Sequence, residues 1–275
     1  MTDLILDTKT FHLSSRSSSC ILLNDDYKSK FRFNIPDMIY RDESIEYINF
    51  SIPYAVIPNT FYTINDTNNT LVVIENDVPT TYVFENGNYN SNYFISKFKT
   101  NLGSRWGITL DVVNSTFTVT NSQNDFTFSD TSTIDSIMGF STTISSTNQS
   151  LTMTRVCNFL PLPRIVLRCP ELANGFMISS ITSGDIIISI PNSSKINGEI
   201  IYQNYEAKHL LKAERLDTLT FSLTNDDGDF INFNGISSFF TIQFDIYRKR
   251  LERPPVFHEI QNMVQSVNLS RIPKL

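Results

Sequence analysis

The clearest pattern in this chain is the alternation of apolar and polar residues between Asp217 and Arg250. Leu219, Phe221 and Leu223 alternate with Thr220, Ser222 and Thr224. Further on, Phe240, Ile242, Phe244 and Ile246 alternate with Thr241, Gln243, Asp245 and Tyr247. A period of two puts each apolar set on one face of a β-sheet and the hydroxyls and amides on the other. Between the two runs, Asn225-Asp226-Asp227-Gly228 is turn chemistry, with a glycine where positive φ is needed, and Asn234-Gly235 marks a second break. The pattern predicts a half-buried antiparallel pair joined by a solvated tip. Such a pair cannot stand alone, so the rest of the chain must supply a covering sheet.

Upstream, Phe31, Phe33 and Ile35 alternate as far as Pro36, and Ser44–Ile57 carries Ile45, Tyr47, Ile48, Phe50 and Ile52. Pro53 and Pro58 should confine the far half of that segment to an edge or a bend, because proline cannot donate to a ladder. At Phe61 the character changes. Leu71–Glu75 and Thr80–Phe84 read as short strands, and Phe94, Ile95, Phe98 and Leu102 form a stripe at helical spacing. An Asn or Ser is available to cap that helix, which spans about Ser91 to Leu102, and Gly103 can close it. Ile108–Val113, Thr116–Thr120 and the pair Phe126, Phe128 predict further strands. Ser132-Thr133-Ile134-Asp135 opens a single turn through Ile137-Met138 to Gly139. Residues 61–154 therefore read as a small α+β domain inserted in a loop of a larger β domain.

Strands resume at Thr154–Phe159, Arg164–Cys169, Asp185–Ile190 and Glu199–Gln203, while Ala207–Arg215 reads equally as a short helix or a loop. With the two upstream strands and the final pair these make eight, the number for a two-sheet jelly roll. The expected fold is mainly β: a single eight-stranded antiparallel jelly-roll sandwich, formed by 25–60 and 155–255, with the inserted domain between its parts. Residues 1–24 include the Ser-rich run Ser14–Ser19 and have two readings, a disordered terminus or an extended arm that orders on a neighbouring subunit. Residues 256–275 read as a tail, with Ile260, Met263, Val264 and Val267 on one helical stripe.

Composition narrows the function classes. Aromatics are plentiful, with Phe 21 and Tyr 11, and charged residues make up only 18%, which favours strands and polar turns. A net charge of −6 argues against sequence-independent nucleic-acid binding, which needs surplus Lys and Arg. Cys20, Cys157 and Cys169 are odd in number and lack CxxC spacing, as expected of a reducing compartment. The first residues lack the basic start and apolar core of a signal peptide. No apolar run approaches the roughly 20 residues of a membrane span.

No catalytic, cofactor-binding or metal-ligating constellation emerges, and no enzyme is expected. His12, His209 and His258 lie in three regions without partners at ligand spacing. Asp226, Asp227 and Asp229 lack the closing Glu of a calcium loop and read as a solvated tip, as does Asp25-Asp26. Arg248, Lys249, Arg250 and Arg253 form a basic cluster, either a solubilising strand exit or a group that pairs with carboxylates on an adjoining chain. Trp106 reads as a core anchor of the inserted block. Tyr54, Phe61 and Tyr62 should pack where the chain leaves the main sheet.

Three stretches also carry a family likeness. The first runs from Tyr47-Ile48-Asn49-Phe50-Ser51-Ile52-Pro53-Tyr54 through Ile57-Pro58-Asn59-Thr60-Phe61 to Asn69-Thr70-Leu71. The second joins Tyr82-Val83-Phe84-Glu85-Asn86-Gly87-Asn88-Tyr89 to Ile137-Met138-Gly139-Phe140, and the third is Asp226 to Gly235 ahead of the aromatic last strand. Together they resemble the penton, or vertex, capsid proteins of virophages and related DNA viruses with jelly-roll capsids. Met138 stands where such proteins often have leucine, and Ile236-Ser237-Ser238-Phe239 where an acidic-tryptophan step is common.

The resemblance implies a structural protein of the virion, assembled in the host cell cytoplasm. It implies a homopentamer closing the five-fold vertex, with the inserted domain outward and terminal arms on the major capsid protein. Other minor capsid proteins share the first stretch. An alternative of a different class is a glycan- or receptor-binding jelly-roll module, with Trp106 or Tyr89 of the inserted domain as the contact.

Overall fold

The computed structural model describes residues 4–16, 18, 20–24, 27–40, 42–160, 162–173 and 185–249. The expected tail at 256–275, Asp25-Asp26, His258, and Arg250 and Arg253 of the basic cluster lie outside the described residues. Among the described residues the first strands are β1 (Leu4–Ser14), β2 (Ile21–Leu22), β3 (Lys30–Tyr40), β4 (Ile45–Pro58), β5 (Thr70–Glu75) and β6 (Val78–Val83). Helix α1 (Ser91–Leu102) leads to β7 (Trp106–Asp111), β8 (Thr116–Asn121) and β9 (Thr127–Phe128). The short helix α2 (Asp135–Met138) precedes β10 (Ile144–Ser145), β11 (Ser150–Thr152), β12 (Arg164–Arg168) and β13 (Ile186–Pro191). The chain closes with β14 (Glu199–Gln203), β15 (His209–Leu210), β16 (Arg215–Thr224) and β17 (Phe239–Lys249).

The fold is mainly β, built from open antiparallel sheets. Sheet I has the order β1-β17-β4-β14, with β15 also on β4, and sheet II the order β13-β12-β16-β3-β2. Two smaller sheets follow the orders β10-β9-β5-β6 and β11-β8-β7. Sheets I and II face each other across one core, to which β4 contributes Ile48, Phe50, Ile52, Ala55 and Ile57. Phe31 and Phe33 of β3, Phe221 of β16, and Phe240 and Phe244 of β17 fill the middle. A second core holds Phe84, Phe94, Phe98, Trp106, Phe117, Phe126, Phe128 and Phe140, all from residues between Ile64 and Met153.

Four expectations are corrected. β16 and β17 do not pair: they belong to different sheets and meet across the core, where the Phe221 and Phe240 rings stack at 6.0 Å. Alternation tells which face of a strand is apolar, and an apolar face seeks the opposite layer as readily as a neighbour. Residues 4–14 of the expected arm form an edge strand, registered with β17 from Leu4↔Lys249 to Ser14↔Phe239. Phe11 and Leu13 there pack against the first core, which holds the segment on its own chain. Thr154–Phe159 is not a strand; Phe159 instead packs its ring against Phe94 and Phe117 of the second core.

Finally, β4 is an interior strand despite Pro53, with β17 on one side and β14 and β15 on the other. The β17 register shifts between its partners Ser51 and Tyr54. On the other side β14 ends at Tyr54, β15 begins at Phe50, and only the Asn204 N–H reaches the Pro53 carbonyl, at 3.0 Å. Pro53 thus occupies a bulge on one side and a gap on the other, where no donor is required. The inward set changes phase there, from 48, 50, 52 to 55, 57.

Candidate interaction surface

The exit from the first core to the second is clamped by side-chain amides. Asn59 Nδ2 donates to the Ser194 and Lys195 carbonyls at 3.1 and 3.0 Å. Thr60 Oγ1 donates to the Phe233 carbonyl at 2.8 Å, while Asn234 Nδ2 donates back to the Thr60 carbonyl at 2.5 Å. Phe61 meets Phe233 edge to face. Two of the three stretches singled out in the sequence are therefore one junction in space, and their turn residues hold it. The remaining stretch, which ends at Ile137-Met138-Gly139-Phe140, is structural too. Gly139 closes α2 at φ +94° and exchanges a hydrogen bond with the return segment, Arg155 N–H donating to the Gly139 carbonyl at 2.9 Å.

The outer face of sheet I is readable row by row from its register. Leu6, Tyr247 and Tyr47 stand side by side, with the two tyrosine rings stacked at 4.3 Å. The next outward row is Thr8, Asp245, Asn49 and Leu210, and the last is Ser14, Phe239, Val56 and Ile201. Asp245 is 3% exposed and accepts hydrogen bonds from Lys208 Nζ at 2.5 Å, Gln243 Nε2 at 2.9 Å and Thr8 Oγ1 at 3.0 Å. Burial pushes its carboxyl up, but these three donors outweigh burial and hold it below the ordinary value. One buried carboxylate thus fastens β1 and the segment before β15 to β17. Its only sequence signal is a charge set among the outward Thr, Gln and Tyr of β17.

Sheet II bears a trough of about 450 Å³ between the turn at Pro170 and Glu171 and the turn at Gly228 and Phe230. Its floor carries Lys30, Arg168, Thr220 and Ser222. Arg168 Nε donates to Thr224 Oγ1 and its Nη1 to Asp185 Oδ1, at 2.9 and 2.7 Å. Glu171 Oε2 accepts from the Thr220 N–H at 3.0 Å, taking over where β12 ends beside β16. Burial, and then the Glu171 charge, push the Cys169 thiol well up.

The residues weighed from sequence are dispersed. His12 bonds Thr241 Oγ1, and the His209 ring lies 5.4 Å from Phe50. Asp226 pairs with Arg164 at 2.6 Å, and Asp229 closes its turn through Asn225. Arg248 and Lys249 find carboxylates on their own chain, Asp42 at 3.4 Å and Glu46 at 3.2 Å. Trp106 and Tyr89 are buried in the second core, so neither offers a ring face to a glycan. Among the described residues no three His, Cys, Asp or Glu side chains gather where they could hold a metal ion. No helix among them is long and apolar enough to cross a membrane.

No protein-family model matches the chain, and no curated protein matches it. Among solved structures the chain is similar to the crystal structure of the mavirus penton protein, at 10% sequence identity and a TM-score of 0.44. The alignment covers 89% of this chain and 100% of that one.

Proposed function

We propose that this chain is a structural subunit of a viral capsid: a single jelly roll that stands at the five-fold vertex as a pentamer and contacts the surrounding major capsid protein. The observation that carries the reading is strand order. Taking β14 and β15 as one interrupted strand and setting aside the two-residue β2, the strands of sheets I and II number eight in chain order: β1, β3, β4, β12, β13, β14–β15, β16 and β17. Sheet I then has the order first, eighth, third, sixth, and sheet II the order fifth, fourth, seventh, second. Two interlocked Greek keys produce that arrangement, which is the jelly roll.

The second core interrupts it between the third and fourth strands, at a clamped junction, which supports the inserted domain expected over 61–154, with Phe159 packed on the same core. The three stretches that resemble penton proteins build that junction and its return. In this reading the chain is a brick rather than an enzyme, located in the virion. A pentamer is a closed ring of heterologous contacts, so each copy must present two different surfaces. Native mass measurement of the purified chain should give five copies, and antibody against it should mark the particle vertices. A chain that stays monomeric and is missing from particles would overturn the proposal.

A further inference from the structure

We infer that sheet I continues from one copy to the next: the open edge of β1 pairs, head to tail, with the β14–β15 edge of a second copy. This rests on the ring of copies proposed above and names the surfaces that would form it. A long strand with one side unpaired offers a row of N–H and C=O groups to any other chain, and natural monomers blunt such edges with short strands, proline or bulges. Three of the four edges of the sandwich are blunted. β2 has two residues and the β3 stretch beyond it carries Pro36 and a register shift, β13 has six and ends at Pro191, and β14 and β15 have five and two, with a break between them. β1 is different. It has 11 residues without proline or glycine, keeps one register with β17 throughout, and among the described residues pairs with no strand on its other side. At about 3.3 Å per residue it presents roughly 36 Å of open edge.

The opposite edge of the same sheet, β14–β15, fits it. β1 runs antiparallel to β17, β17 to β4, and β4 to β14 and β15. Setting β14–β15 of a second copy beside β1 therefore continues an unbroken antiparallel order. The two edges also cover the same rows. Leu210 stands level with Thr8, and Ile201 with Ser14. The β14–β15 edge carries exposed apolar side chains, Ile201 at 54%, Leu210 at 45% and Tyr205 between them at 68% exposure. Exposed apolar groups beside an edge mark a surface that is covered in the working state. Because the two edges differ, joining them is heterologous and uses each once per copy, which gives no two-fold dimer and builds a ring when the rotation between copies closes.

The test uses the full chain with two edge variants, Ile201→Asp combined with Leu210→Asp on one edge and Thr10→Lys on the other. All three positions lie on exposed or edge sites, so circular dichroism and thermal midpoint should match the wild type. Light scattering should show assemblies for the wild type and single chains for both variants. Hydrogen exchange of peptides covering residues 4–14 should be slowed at least about tenfold in the wild-type assembly relative to either variant. Variants that assemble like the wild type, or equal exchange of β1 in assembly and single chain, would overturn the edge contact while leaving the pentamer reading intact. A wild type that is itself a single chain at every concentration would overturn both.

Discussion

At the scale of single residues, the outer face of sheet I turns on Asp245. Its carboxylate is the common acceptor for donors from β1, from β17 and from the segment before β15. Asp245→Asn keeps the shape, removes the charge opposite Lys208, and turns one acceptor oxygen into a donor facing other donors. The expected cost is about 1–3 kcal/mol, the scale of leaving buried polar groups badly matched, measured by urea unfolding. The pH dependence follows from the direction of the shift. A carboxyl whose folded value lies below its unfolded one stabilises the protein above the unfolded value, near 3.9, and loses that contribution as pH falls through the lower folded value. The difference in stability between wild type and Asp245→Asn should therefore be constant near neutral pH and shrink in strong acid. A gap that widens on acidification would refute the assignment.

Among the elements, what the sequence made legible divides by the kind of signal. Helix α1 was readable to its boundaries because cap and stripe are both local: Asn90 Oδ1 accepts from the Tyr93 N–H, and Phe94, Phe98 and Leu102 are buried. The short α2 was readable from Gly139, although Ser132 accepts from the Val72 N–H instead of capping the turn. The partners of β16 and β17 were not readable, because pairing between residues far apart is decided by which sheet each strand joins. β1 was hidden for another reason. Its outward positions are Leu6, Thr8, Thr10 and His12, so its alternation is weak, and the serines after it read as a disordered terminus. The phase change at Pro53 was present in the sequence as Ile48, Phe50, Ile52, then Ala55, Ile57, but it required knowing that both faces of the strand edge are occupied. None of the interaction surface was legible, since Ile201, Leu210 and β1 meet at the ends of one sheet only after it has formed.

The position of β1 makes a sharp prediction about truncation. A terminal arm can be removed without harm to the body of a protein. Deleting residues 1–14 here strips β17 of one of its two partner strands, uncovers Phe244, and removes the Thr8 donor of Asp245. The truncated chain should be insoluble or lose most of its cooperative unfolding. A milder probe, Phe11→Ala, removes a half-buried ring that meets Phe244 edge to face at 6.0 Å. It should cost about 2–3 kcal/mol, below the range for a fully buried phenylalanine. A truncated chain with wild-type stability would return the segment to the role of a free arm.

At the scale of the whole molecule, the two cores share no buried apolar residue among the described residues, and the chain crosses between them near Phe61 and again between Phe159 and Arg164. Such an arrangement allows each core to melt with its own free energy, coupled at the two crossings, the first of them held by the clamp of Asn59, Thr60, Phe233 and Asn234. The single tryptophan, Trp106, lies in the second core, so its fluorescence reports that core alone. Gly139 is the lever. Its φ of +94° is a conformation that side chains resist, and a Cβ there would lie 2.3 Å from the Arg155 carbonyl oxygen, a backbone atom that cannot swing aside. Gly139→Ala should therefore cost the second core at least about 2 kcal/mol, from the left-handed conformation and the overpacking together. The tryptophan transition should move to lower denaturant, while hydrogen exchange of β16 and β17 in the first core keeps its wild-type protection. If both cores lose stability by the same amount, the clamp transmits the whole free energy and the chain unfolds as one unit. The second core would then be a rigid extension of the first, and the proposed ring on sheet I would feel every change made within it.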